Sequence, residues 1–298
     1  MDNERPFRSG FAVIAGRPNV GKSTLLNALI GEKIAIVSDR PQTTRNSIVG
    51  ILNGEDSQLV FVDTPGYHTP RTKLGNYMMQ AWQDAMQGID VLLALADVTA
   101  IGPKDRQLIH ELGQKKCRKL LLLNKIDLVE KQALLSIIES FKNEGYDEIY
   151  PISAKDGEGL DLLREDLLAH LPEGPRYYPD DSITSQTERQ IASEIIREKA
   201  LRNLRDEVPH GIGVEIVRFQ ESDRLVTIYA NIFCEKDSHK WIIIGKGGSM
   251  IRLIGTQARQ DIESLLGTQV NLQLWVKVRP DWRNNLADLK DLGYNPEK

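Results

Sequence analysis

Residues 16–23 read GRPNVGKS and lie directly between the apolar run FAVIA and the apolar helical stretch TLLNALIG. This fits GxxxxGK[ST] in the strand-before, helix-after context that the pattern requires. In such a loop the backbone amides and the positive end of the following helix converge into an anion hole suited to phosphates. Lys22 is then placed to reach β- and γ-phosphates, and the Ser23 hydroxyl to ligate Mg2+.

Beyond this loop, β-rich apolar runs alternate with amphipathic helical stretches: FAVIA, SIVGILN, QLVFVD, VLLALAD, KLLLLNK and EIYPIS read as strands. Strands separated by helices predict a largely parallel sheet. NGEDS, between the second and third runs, is short and turn-like, which predicts an antiparallel hairpin at one edge and hence a mixed sheet. LPEGPRYYPDD, residues 171–181, holds three prolines and a glycine that neither helix nor central strand tolerates. The expected organisation is therefore an α/β domain over residues 1–171, a linker over 172–181 and a second domain over 182–298. The second domain reads as α, β, β, α, loop, α, β: TERQIASEIIREKALRNLRDE is helical, GVEIVRFQ and RLVTIYANIFCE alternate as strands, and QVNLQLWVKV is the last strand. A length of 298 residues with 41% hydrophobic and 27% charged content has room for two such globular domains.

A phosphate loop alone does not choose between ATP and GTP. VFVDTPG ends a strand in Asp63, placed to hold Mg2+ through water, with the Gly66 amide able to sense a γ-phosphate. LLLLNKID ends a later strand in Asn124, Lys125, Ile126 and Asp127. A carboxylate there can accept two hydrogen bonds from guanine, and adenine lacks both donors. ISAK follows the last strand, where Ser153, Ala154 and Lys155 would support the base. Four motifs in this order, each at a strand end, predict a guanine-nucleotide site. Its expected members are Gly16, Arg17, Pro18, Asn19, Val20, Gly21, Lys22, Ser23, Thr24, Asp63, Thr64, Pro65, Gly66, Asn124, Lys125, Asp127, Ser153, Ala154 and Lys155. SDRPQTTRNS supplies a polar loop between the first helix and second strand. By position Thr44 is the expected ligand of Mg2+ and the γ-phosphate, with Thr43 the alternative. Lys22, Thr44 and Gly66 are the expected catalytic groups, and Ser23, Thr44 and Asp63 the metal ligands.

After DTPG stands Tyr67, where Ras-type proteins use a glutamine to orient water, so hydrolysis must be arranged differently and slow basal turnover is expected. Asn19 resembles an asparagine that in related translational GTPases helps bind K+, making K+ a second candidate cofactor.

WIIIGKGGSMIRLIG, residues 241–255, holds a second glycine loop without the GK[ST] needed for a triphosphate. GxxG by itself is weak, but its setting between helices of an α+β domain suits an RNA backbone passing close to the chain, as in a KH loop clamping about four nucleotides. The expected RNA-binding residues are Ile244, Gly245, Lys246, Gly247, Gly248, Ser249, Ile251 and Arg252. Lys236, Lys240, Lys246, Arg252 and Arg259 face only Asp237 across residues 236–260, a local basic cluster in a chain of net charge −4. Other chemistries find little support. Cys117 and Cys234 lack metal or disulfide spacing, and the five histidines are scattered. The start, MDNERPFRSGFAVIAG, lacks the pattern of a signal peptide, and VLLALA and LLLL are too short to cross a bilayer, which suggests a cytoplasmic protein.

With GRPNVGKS, PQTTR, DTPG, NKID and SAK followed by IIGKGG, the chain resembles the Era family of bacterial GTPases over nearly its whole length. That resemblance implies a P-loop GTPase domain followed by a type II KH domain. It further implies binding near the 3′ end of 16S ribosomal RNA, a role in assembling the 30S subunit, and loose association with the inner membrane; a monomer alternating between GTP and GDP is expected. Tyr67 agrees with the family. Two other readings stay open from the residues: RNA capture with GTP in a structural role, and a C-terminal domain that docks protein or membrane.

Overall fold

The computed structural model describes residues 6–38, 40, 42–206, 208–222 and 224–294. Pro41 of the PQTTR stretch and residues 295–298 of the closing segment lie outside the described residues. The chain divides into two compact units: Met1–Ala35, Thr44–His68 and Ala81–Ser185 form the first, and Ile36–Thr43, Thr69–Gln80 and Gln186–Lys298 the second. Two short segments that flank the sequence motifs thus group with the C-terminal residues.

In the first unit, β1 (Arg8–Gly16), β2 (Ile48–Asn53), β3 (Ser57–Asp63), β4 (Val91–Asp97), β5 (Arg118–Asn124) and β6 (Glu148–Ile152) make one sheet in the order β2-β3-β1-β4-β5-β6. β2 runs antiparallel to β3 at one edge and every other pair is parallel. The sheet is mixed, as the NGEDS turn predicts. The helices are α1 (Lys22–Ile30), α2 (Lys73–Ala85), α3 (Pro103–Gly113), α4 (Lys131–Phe141) and α5 (Leu160–Ala169), with α2 passing from the second unit's residues into the first's.

The central strands read as unbroken apolar runs because both of their faces are covered. On one side Ala12, Ile14, Leu93, Leu95, Leu120 and Leu122 pack with Leu25, Leu26 and Leu29 of α1 and Leu163 and Leu167 of α5. On the other, Val13, Ala15, Leu92, Ala94, Leu121 and Leu123 pack with Leu108, Ile109 and Leu112 of α3. This parallel order brings the C-terminal ends of β1, β3, β5 and β6 to one edge of the sheet, where ligands of open α/β folds bind.

In the second unit, α6 (Glu188–Asn203) is followed by β7 (Gly213–Ser222), β8 (Leu225–Cys234), α7 (Asp237–Ile244), α8 (Ser249–Leu266), β9 (Gln269–Val278) and α9 (Leu286–Asp291). β7 and β8 are antiparallel, and β8 and β9 parallel. Ile254, Ala258 and Ile262, four residues apart on α8, join Ile191, Ile195 and Ile196 of α6 over Ile228, Ala230 and Ile232 of β8. Thr187 and Gln190 form a capping box at the start of α6. The helix stops at Asn203, short of the RDE that its sequence suggests, because Leu204 turns to extended backbone and buries its side chain.

Trp282 is fully buried, and its indole Nε1 donates to the Gly211 carbonyl at 2.9 Å. It packs with Leu289 and Tyr294 and, from the Thr69–Gln80 segment of the same unit, with Leu74 and Met78. Arg283 pairs with Glu235 through two contacts of 2.9 and 2.6 Å. This tryptophan–arginine pair therefore closes the fold of its own unit.

Candidate nucleotide and nucleic-acid sites

The loop after β1 is forced into shape by close approaches. Gly21 has φ +103°, and a Cβ there would lie 2.3 Å from the Asn124 side-chain nitrogen. A Cβ on Gly66 would meet the Pro18 backbone at 2.8 Å. Glycine at these two positions lets the loops after β1, β3 and β5 close on one another. Asn124 joins three of the motifs: its Nδ2 donates to the Val20 carbonyl at 2.8 Å, and its Oδ1 accepts the Ala154 N–H at 2.9 Å. Lys125, with φ 69°, donates from Nζ to the Asn19 carbonyl at 3.2 Å and pairs with Asp97. Ser153 Oγ donates to Asp127 Oδ1 at 2.8 Å, which orients that carboxylate. Lys155 is exposed, while Ala154 and Ser153 are buried.

At the other end of the loop, Lys22 is buried and its Nζ donates to the Arg17 carbonyl at 2.9 Å. Burial lowers its pKa to about 8, opposed by the nearby Asp63 carboxylate. Ser23 Oγ donates to Asp63 Oδ2 at 2.7 Å and lies 2.8 Å from Thr44 Oγ1, which in turn is 3.4 Å from Asp63 Oδ2. Burial pushes the Asp63 carboxyl up to about 6, while Lys22, Ser23 and Thr44 work against that rise. Its Oδ1 is buried and has no hydrogen-bond partner among the described residues. Three hard oxygen donors, one of them a carboxylate with an unmatched lone pair, fit a Mg2+ ion that keeps some of its waters.

Of the two candidate threonines, Thr44 faces this cluster. Thr43 Oγ1 donates instead to the Arg40 carbonyl at 2.6 Å. Arg17 pairs with Asp105 at 3.0 Å, Thr64 Oγ1 donates to the Ile14 carbonyl at 2.9 Å, and Pro65 is buried. The Tyr67 N–H donates to the Gly16 carbonyl at 3.0 Å, and its ring lies 5.1 Å from that of Trp82.

The second glycine loop is open where the first is closed. Gly247 and Gly248 have φ of 59° and 79°, and nothing lies within 4 Å of a Cβ built on either. Lys246, Ser249 and Arg252 are exposed, Ile244 and Ile251 half-buried, and Gly245 caps α7. The first amides of the 18-residue α8 follow directly. Trp241 and Ile242 add exposed apolar surface. Arg259 does not share in the basic cluster read from the sequence. It lies ten residues beyond Ser249, about 15 Å along the helix, and its guanidinium is engaged by Glu263 at 2.9 and 3.1 Å.

Comparison with known proteins matches residues 11–125 to the family model described as 50S ribosome-binding GTPase and residues 207–283 to the KH domain model. GTPase Era of Ruminiclostridium cellulolyticum is 50% identical over 98% of this chain and 99% of its own length. GTPase Era of Clostridium botulinum strain Eklund 17B is 51% identical over 97% of this chain and 99% of its own. The chain belongs to the Era family of GTPases. A crystal structure of Era in complex with MgGDPNP and nucleotides 1506-1542 of 16S ribosomal RNA superimposes with TM-score 0.92 at 37% identity, covering 97% of this chain and 99% of that one. A variant of Aquifex aeolicus Era bound to GDP.AlF4- gives the same TM-score and identity, covering 97% of this chain and 100% of that one.

Sequence motifs in this Era-family chain do not reveal Asp97 or Asp105, the partners of Lys125 and Arg17, since each is a lone acid distant in sequence. Nor do they reveal Arg197 and Glu198, which α6 buries. The helical spacing of TERQIASEIIREKALRNLRDE does not separate these two from its exposed charges, and only burial distinguishes them.

The Asp63 carboxyl predicts a pH dependence of the nucleotide-free protein. Its folded pKa of about 6 lies above the ordinary 3.8, so the folded state holds the extra proton in that window and stability falls as pH rises through it. Asp63→Asn should remove about 2 kcal/mol of this fall. Urea unfolding of both proteins at several pH values between 4 and 7 checks it, and parallel curves would show that the carboxyl is not held protonated.

Proposed function

We propose that this Era-family GTPase uses its KH domain to hold the 3′ end region of 16S ribosomal RNA during 30S subunit assembly, with the γ-phosphate state of its nucleotide governing RNA presentation. The observation that most supports a GTP-responsive site is the meeting of Thr44 Oγ1 with Ser23 Oγ at 2.8 Å beside the buried Asp63 carboxylate. The solved Era bound to MgGDPNP and 16S RNA supports the ligands.

In this reading the amides of residues 16–23 and Lys22 receive the β- and γ-phosphates. Asp127, oriented by Ser153, accepts the guanine N1 and N2 protons, and Asn124 secures the loops beneath the base. Ser23, Thr44 and Asp63 would hold Mg2+, whose contribution is to neutralise charge developing on the phosphate oxygens. Thr44 and the Gly66 amide sense the γ-phosphate. The Tyr67 ring packs against Trp82. Asn19, in left-handed backbone at φ 66°, is the residue assigned to K+. RNA phosphates approach Gly247 and Gly248, where Lys246 and Arg252 add charge. Among the described residues no helix is long and apolar enough to cross a membrane. The family resemblance is what supports assigning a peripheral inner-membrane contact to a cytoplasmic monomer.

Asp127→Asn should shift preference from GTP toward xanthosine nucleotides by at least tenfold in competition binding; unchanged preference would refute the base contact. Gly248→Asp places a carboxylate where phosphate approaches. Its φ of 79° is one that Asp tolerates better than most residues, and the surrounding space is open. It should abolish the shift of a short single-stranded 3′-end RNA in a gel while leaving GTP affinity intact, and retained RNA binding would remove the loop from the interface. Single-turnover phosphate release should be slow and faster in K+ than in Na+. Equal rates would exclude the Asn19 role, and no release would leave GTP structural.

A further inference from the structure

α6 contains three consecutive charged residues, Arg197, Glu198 and Lys199, that are all buried, with Arg197 and Glu198 at 0% exposure. Charges of this kind are retained only when hydrogen bonds replace the lost water. Lys199 pairs with Asp261, and Asn203 Nδ2 donates to Gln257 Oε1 at 2.7 Å, so this part of α6 is tied to α8, the helix that begins at the GxxG loop. Arg197 and Glu198 pair within α6, with Glu194 and Arg202 respectively, and also reach a segment outside it. Glu198 Oε1 accepts the Val37 N–H at 3.1 Å, and Arg202 donates to the Val37 carbonyl at 3.1 and 2.8 Å. Arg40 Nη2 donates to the Leu204 carbonyl at 3.3 Å, at the end of the same helix. Arg197 donates to the Gln42 carbonyl at 3.5 Å from Nη1 and to the Thr43 carbonyl from Nη2, and Glu194 orients the guanidinium through Nε at 2.9 Å.

All of these contacts lie within the second unit, to which Ile36–Thr43 belongs. They run along that segment to its last residue. The next peptide bond leads to Thr44, the first residue of the segment Thr44–His68 in the first unit, whose hydroxyl stands 2.8 Å from Ser23 Oγ.

We propose that Arg197 is a positioning residue for GTP hydrolysis: by fixing the Thr43 carbonyl it sets the backbone from which Thr44 meets the γ-phosphate and the metal. The inference rests on the reading of Thr44 given above. Arg197 touches neither nucleotide nor reacting atoms and acts only through Thr43. A forked donor is required because two successive carbonyls and a carboxylate share one side chain. GDP lacks the γ-phosphate that Thr44 senses, so loss of Arg197 should weaken the GTP state selectively.

The test compares Arg197→Met, Arg197→Lys and Thr44→Ala in the full-length protein, each checked by thermal unfolding and by gel shift with the 3′-end RNA. Arg197→Met should lose about tenfold or more in affinity for a non-hydrolysable GTP analogue, the scale of one charge-assisted hydrogen bond. Its affinity for GDP should change by less than twofold, and its single-turnover hydrolysis should slow in parallel with Thr44→Ala. Arg197→Lys retains a buried cation with a single point of donation, so it should fold as the native protein does and show a smaller loss of the same selectivity. If Thr44→Ala loses the analogue but folded Arg197→Lys and Arg197→Met keep the native ratio of analogue to GDP affinity, Arg197 is not the positioning residue. Equal losses for GDP and the analogue in the Arg197 variants would likewise overturn it, in favour of a purely structural charge. An unaffected Thr44→Ala would instead refute the underlying assignment of Thr44. Should Arg197→Met fail to fold, the ratio in Arg197→Lys decides alone.

Discussion

The side-chain amide of Asn124 joins the loops of the candidate nucleotide site. One of its atoms donates to the Val20 carbonyl and the other accepts from Ala154, so a single planar group ties the glycine loop, the NKID loop and the SAK loop together. That geometry explains several other features. Gly21 must lack a Cβ because the amide nitrogen stands 2.3 Å from where it would be. Val20 is buried under the latch, and Ser153, next to Ala154, is placed to orient Asp127. Both hydrogen bonds are shielded from water, where losing a partner leaves a buried polar group unsatisfied.

The two glycine loops show one composition put to opposite physical uses. In the first, glycine removes bulk where backbone or side chains press from the protein itself, at Gly21 and Gly66. Lys22 and Asp63 are buried there, and burial moves the pKa of each toward its neutral form. In the second loop, positive φ at Gly247 and Gly248 turns the chain, but the space beside them is empty of protein. The neighbouring cations are solvated. Such a surface suits a long polyanion that passes over it, whereas the first suits a small one that is enclosed.

Much of this was legible in the residues alone. In the first unit, six apolar runs marked the six described strands, and the NGEDS turn marked that sheet's antiparallel pair, because local sterics and burial act through neighbours a few positions apart. The motif residues fell at strand ends for the same reason. Less legible were choices between adjacent residues and pairings across long separations. Thr43 and Thr44 are chemically alike, and only the path of the loop turns one hydroxyl to the Arg40 carbonyl and the other to Ser23. Arg259 counted toward a basic cluster in sequence, yet a helix carries it away from the loop and Glu263 engages it.

By itself, the sequence determined the two-domain order, the mixed sheet, the guanine-type motifs and the KH loop, since each rests on short-range periodicity or on a compact run of residues. Only the tertiary structure decided that Ile36–Thr43 and Thr69–Gln80 group with the C-terminal residues, and that Arg197 and Glu198 are buried against the former. No local pattern encodes this. A charged side chain on a helix is ordinarily solvated and is buried only where backbone carbonyls and paired charges replace the water, which depends on where a segment about 155 residues away has folded.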